Sequence, residues 1–168
     1  MPLSMYQASV PVLIRALTAL QGVLEKGKAH ATAKGTDEAN YVAMRLIPDM
    51  LPLSAQVGIA CDIAKRGTAR LAGVEPPVHS DDMASFDDLK ARCQLTIEYL
   101  KTFTPDQIDG TEEKEIILQT PMGDMKFTGK DYVFGFMIAN VHFHSTMTYA
   151  LLRGAGVEIG KANYLGAA

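Results

Sequence analysis

The residues able to do chemistry here are few, and they cluster in two stretches. The chain has four histidines, His30, His79, His142 and His144, and two cysteines, Cys61 and Cys93. No phosphate-binding GxxxxGK[ST], dinucleotide GxGxxG, metalloprotease HExxH or hydrolase GxSxG occurs. His30 and His79 stand in small, polar stretches and read as solvated. In the stretch around His144, a helical period puts Val133, Met137, Asn140, His144, Thr148 and Leu151 on one face, with His142 almost opposite. Asn140 and His144 are four apart and can converge. Further upstream, Asp49 and Gln56 are seven apart on a second helical face, and Asp62 points elsewhere. If these two faces meet, carboxylate, amides and imidazole form a polar patch inside an apolar interior. His144 would then be a ligand or general base, oriented by Asp49. The same residues also read as structure: Asp49 a helix cap, Gln56 bonded to a carbonyl, His144 a paired core histidine.

Four long helices are needed to hold those stretches. The first begins at Ser4, where Ser4 and Gln7 have capping-box spacing, and buries Val10, Leu13, Ile14, Leu17, Leu20 and Leu24. Pro11 predicts a kink there or a start as late as Ser9, and the small polar run after Gly27 predicts fraying. After a helical turn within 36–47, the second helix is expected from Asp49, as N-cap, to Leu71, ended by Gly73 and Pro76-Pro77. Ser85, with Asp88 three later and Asp81-Asp82 before it, opens the third, and Thr104-Pro105 stops it. Ile116–Leu118 and Met125–Phe127 flank Pro121–Asp124 and predict a short hairpin or extended excursion. Thr128 then caps the last helix, which runs to Gly154 and Gly156; Arg153 suits the negative end of its dipole. The tail with Lys161 and Tyr164 reads as flexible. The architecture expected is all-α, an antiparallel four-helix bundle with that excursion before the last helix.

Composition limits the partners. With 168 residues, 48% hydrophobic and 21% charged, the chain makes one domain, 1–168, that needs no metal or disulfide to fold. A net charge of −3 gives no basic surface for nucleic acid. The uncharged run between Asp131 and Arg153 is long enough to span a bilayer, yet it carries Asn140, His142, His144 and Thr148, so a buried bundle helix is the expectation. The N-terminus has no basic region before its apolar run, which is unlike a signal peptide, and cytoplasm follows. Cys61 and Cys93 sit on inward stripes without a CxxC motif or a nearby cation, and read as reduced, buried and slow to react.

Arg45–Leu53 with Gln56-Val57 and Ala69–Gly73, then Phe143-His144, Tyr149–Arg153, Gly156-Val157, Gly160-Lys161 and Tyr164–Gly166, resemble the motifs of a domain-of-unknown-function family in the DinB/YfiT-like superfamily. The opening Tyr6–Pro11 is similar too, so the resemblance runs nearly the whole chain in order. It implies a bundle with a long crossover between the second and third helices, a homodimer, and a tail that docks on the body. Metal-binding members of the superfamily use one histidine on the second helix and a His-x-x-x-His pair on the fourth. Here Asn140 and His144 meet the fourth-helix spacing and the second helix has no histidine. Two functions are thus open: a non-catalytic homodimer with a degenerate metal site, either purely structural or binding a small apolar or weakly polar ligand, or a metal-dependent hydrolase or transferase. In the second, zinc or nickel would sit on His144, with Asp49, Gln56 and Asn140 beside it.

Overall fold

The computed structural model describes residues 3–166. Its first helix, α1 (Met5–Lys34), starts where expected. The Ser4 hydroxyl accepts from the Gln7 N–H at 3.2 Å, and the Gln7 side chain accepts from the Ser4 N–H at 3.3 Å. The helix neither restarts after Pro11 nor frays after Gly27. Pro11 faces solvent, and the segment beyond Gly27 is held by packing: an added Cβ at Gly27 would lie 2.8 Å from the Phe86 ring, and Ala31 is fully buried. Tertiary contact overrides weak local propensity. The helix ends at Gly35, whose left-handed φ of 62° closes the last turn.

A short α2 (Glu38–Val42) leads to α3 (Leu53–Ala72). This helix begins three residues later than the sequence suggests, with Pro52 as its N-cap in place of Asp49 and no side-chain cap. The cause is the pair of prolines. A residue preceding proline is pushed out of the helical region, so Ile47 and Leu51 cannot continue a helix through Pro48 and Pro52. Asp49 therefore lies in an exposed turn, closed by the Leu53 N–H on the Met44 carbonyl at 2.9 Å. Gly73, at φ 73°, ends α3 as expected.

The Ser85/Asp88 capping box opens α4 (Phe86–Leu100). Asp81 and Asp82 do not serve that N-terminus; a Glu38 carboxylate accepts the Phe86 N–H instead. A one-turn α5 (Pro105–Ile108) follows, then the hairpin of β1 (Glu115–Thr120) and β2 (Gly123–Thr128), antiparallel with Glu115 opposite Thr128 and Thr120 opposite Gly123. The Thr128 hydroxyl caps α6 (Gly129–Asp131), which continues through a π-helical turn at Tyr132–Met137 into α7 (Ile138–Gly154). The tail forms a last turn, α8 (Lys161–Tyr164), packed on α1.

The chain is thus mostly helical with one small two-stranded sheet. Around the core, α1 packs on α4 and α7, and α3 packs on the same two, so α3 and α4 are the one consecutive pair of long helices in close packing. Leu13, Leu17, Leu24, Leu53, Leu89, Leu100, Val133 and Leu152 fill the centre. By length and composition α1 could cross a membrane, but half of its most apolar stretch is buried in this packing.

Candidate functional site

The packing of α3 on α7 brings Gln56 to His144. Gln56 is 2% exposed. Its side-chain N–H donates to the Leu51 carbonyl at 3.2 Å, and its Oε1 lies 2.7 Å from Nδ1 of His144. A carbonyl only accepts, so the amide nitrogen must face Leu51 and the amide oxygen must face the imidazole. Nδ1 of His144 therefore carries the proton, and Nε2 carries the lone pair. Burial holds the His144 pKa below its usual 6.5, so the ring is neutral at physiological pH. Nε2 has no hydrogen-bond partner among the described residues, and it is not sealed from solvent. The Phe143 ring stands edge-on to the imidazole at 5.2 Å. Phe143 and Leu51 are both about half exposed, and Leu46 and Ile47 on the same proline-bounded loop are exposed as well. The result is a fixed, neutral hydrogen-bond acceptor with the Phe143 ring beside it.

Asp49 does not join this site. It makes no hydrogen bond with Gln56, Asn140 or His144 among the described residues, because the helix meant to carry it starts only at Leu53. Asn140 is half-buried one turn before His144, and its amide donates to the Phe136 carbonyl at 2.7 Å, leaving Oδ1 free. The inward face of α7 is Val141, Ser145, Thr148, Leu151 and Leu152, so Thr148 and Leu151 lie on it as expected and Asn140 and His144 flank it. The π-helical turn shifts the phase that a uniform 3.6-residue period would carry from Val133 and Met137.

The donor set does not fit the metal centre that the resemblance implies. One imidazole and two amides replace three imidazoles, and the Gln56 oxygen is already spent on the His144 N–H. Amide oxygens are poor ligands for zinc or nickel beside imidazole. No group of three or more histidine, cysteine, aspartate or glutamate side chains is arranged to hold an ion among the described residues.

Other polar side chains gather elsewhere. His142 faces away from His144, as the helical period requires, with Nδ1 3.1 Å from the Tyr164 hydroxyl, which also accepts from Thr146. Arg15 donates to the Leu165 carbonyl, so the tail is docked rather than loose. A cavity of about 20 Å³ lies below, lined by Ala16, Leu20, His142, Ser145 and Tyr164. Between α3 and α4, Asp62 pairs with Lys65 at 3.0 Å and with Arg92, and both cations are almost fully buried. Burial alone would raise the Asp62 pKa, but the Lys65 hydrogen bond and the charges of Lys65, Arg92 and Arg66 outweigh it and hold the carboxyl below its usual 3.8. His79 leans on this cluster with its Nδ1 buried and unpartnered, contrary to a solvated reading; burial, then Lys65 and Arg92, lower its pKa. Lys65 and Arg66 follow Asp62 by three and four residues on α3, whereas Arg92 reaches it from α4, which no local spacing marks.

With its hairpin before α6 and α7 and its docked tail, the fold is that of the DinB class, as its likeness to a solved structure shows. The fold matches the crystal structure of a DinB family member from Shewanella denitrificans with a TM-score of 0.88, at 33% identity over 97% of this chain and 92% of that one. Residues 5–165 match the family described as "Domain of unknown function (DUF1993)", and the chain belongs to it. Curated proteins give no match.

Proposed function

We propose that this DUF1993 protein is a non-catalytic, cytoplasmic, antiparallel four-helix bundle that binds a small, weakly polar ligand at the Gln56–His144 pair and works as a homodimer over a degenerate metal site. The observation that carries this reading is the hydrogen bond from His144 Nδ1 to Gln56 Oε1. It spends the amide on orienting the imidazole and leaves Nε2 as an acceptor for a ligand hydroxyl or N–H. The apolar body of that ligand would lie on Phe143 and Leu51. No nucleophile stands within hydrogen-bond reach of the imidazole among the described residues, which supports binding over turnover. The exposed Leu46, Ile47 and Phe143 support a second copy as the surface partner.

The reading in which a metal-dependent hydrolase or transferase uses His144 is favoured only by the free Nε2. Elemental analysis of protein purified without a metal-affinity tag separates the two, with substoichiometric zinc and nickel expected. A full equivalent of either would overturn the proposal. Phenol, an O–H donor on an apolar ring, is a direct probe: it should shift the His144 ring signals in an NMR titration, while toluene should do so far less. Equal responses to both would remove Nε2 from the site. Light scattering should give about twice the 18.2 kDa chain mass.

A further inference from the structure

Cys61 on α3 and Cys93 on α4 are fully buried, and neither belongs to the Gln56–His144 site. Their sulfurs lie 3.8 Å apart, with one S–H donating to the other sulfur. The neighbouring residues matter as much as the distance. Asp62 follows Cys61, Arg92 precedes Cys93, and the two charges pair across the same helices. Lys65 and Arg92 bring two buried cations to the one largely buried carboxylate of Asp62. Arg92 also meets the exposed Asp81 at 3.5 Å, and its Nε has no hydrogen-bond partner among the described residues. The Cys93 S–H, opposed by burial and helped by the Thr96 hydroxyl and Arg92, holds the Cys61 thiol below its ordinary value. Its bond to Cys61, then burial, pushes Cys93 well above. The expectation of no cation near the thiols is thus corrected: Arg92, next to Cys93 in the chain, acts on both of them.

We propose that Cys61 and Cys93 are a peroxide-reactive dithiol, oxidised to a disulfide that ties α3 to α4. The Cys61 thiolate attacks one oxygen of hydrogen peroxide. The O–O bond breaks, Cys61 becomes a sulfenic acid, and the departing hydroxide takes the proton that Cys61 gave up, leaving as water. Cys93 then attacks the Cys61 sulfur, the S–O bond breaks, and the leaving hydroxide carries away the Cys93 proton as a second water. Two thiols each lose one electron and one peroxide gains two. Closing the sulfurs from 3.8 Å to the roughly 2.05 Å of a disulfide is a short approach for side chains already in contact. Burial excludes bulky alkylating reagents, while peroxide is hardly larger than the water that enters a core through brief local openings.

The test treats folded full-length protein with equimolar peroxide, quenches, unfolds, alkylates, and maps the peptides. The expected product is a chain lighter by two hydrogens, with the Cys61 and Cys93 peptides linked, formed with a second-order rate constant for peroxide that rises with pH and does not change with protein concentration. Thiols still fully alkylated would overturn the proposal, as would linkage between chains or a disulfide formed only when denaturant is present. In Cys93→Ser treated with peroxide while folded and then unfolded in a 1,3-dione reagent, the dione should trap a sulfenic acid on Cys61, and an unlabelled Cys61 would reject the stated order of attack. Should that variant fail to fold, the linked peptide from the unmodified chain decides alone.

Discussion

Replacing His144 with alanine asks whether the Gln56 amide depends on its partner. The Gln56 Oε1 sits in a side chain that is 2% exposed, and the His144 N–H is its hydrogen-bond donor. A buried acceptor left without a donor costs about 1–3 kcal/mol. His144 is only half-buried, so its removal lets some water in, and the lower half of that range applies, about 1.5 kcal/mol. With a urea dependence of about 2 kcal/mol per molar, the unfolding midpoint should fall by slightly under ~1 M at unchanged slope. Thermal unfolding should drop by roughly 3–6 °C for a chain of this length. His142→Ala is the matched control. That side chain is exposed and loses one contact with Tyr164, whose hydroxyl keeps Thr146, so the cost should be about 0.5 kcal/mol. Adding Gln56→Met to His144→Ala removes the orphaned amide, and the pair should couple by about 1 kcal/mol in a double-mutant cycle. Equal losses from His144→Ala and His142→Ala, together with no coupling to Gln56, would refute the pairing.

Stability should also depend on pH. His144 and His79 both have folded pKa values below 6.5, so the unfolded chain binds more protons as pH falls through that value. Their contribution is complete above 6.5 and is lost below it toward the folded values. A stability that is flat or rising on acidification from 6.5, followed by urea titration, would contradict the burial of both rings. Asp62→Asn leaves Lys65 without a counter-charge and Arg92 with only the exposed Asp81, and should cost about 3 kcal/mol, with Lys65→Met restoring part of it; a loss under ~1 kcal/mol in calorimetry would place those cations in water. Gly129→Ala would put a Cβ 1.9 Å from the Thr111 carbonyl oxygen, whereas Gly22→Ala on exposed α1 meets nothing within 4 Å. The first should destabilise by about 1–3 kcal/mol and the second stabilise by about 0.5 kcal/mol, and the reverse order of melting temperatures would show the α6 approach to be loose.

Features written into a few neighbouring residues were legible in the sequence. Ser4 with Gln7, Ser85 with Asp88 and Thr128 with Asp131 cap helices because a side chain and an N–H three residues on always lie within reach. The meeting of His144 with a polar group from the second long helix was legible too, since an imidazole on a buried flank needs a partner. Asp49 was misplaced for a local reason given too little weight: two prolines four apart bar the helix before Leu53. The run past Gly27 and the π-helical turn at Tyr132–Met137 answer to packing with Phe86 and with α3, which no local pattern encodes. Lys65 and Arg92 look like surface residues until Asp62 is seen between them.

The central claim is that the Gln56 amide fixes His144 as an Nδ1–H imidazole whose Nε2 serves a ligand and not a metal. A long-range nitrogen–proton NMR spectrum of the histidine rings at neutral pH, recorded before and after one equivalent of zinc, tests it most directly. The His144 ring should show a protonated Nδ1 and an unprotonated Nε2, unchanged by the zinc. A proton on Nε2 in the free protein, or a stoichiometric zinc-induced shift of that nitrogen, would contradict it.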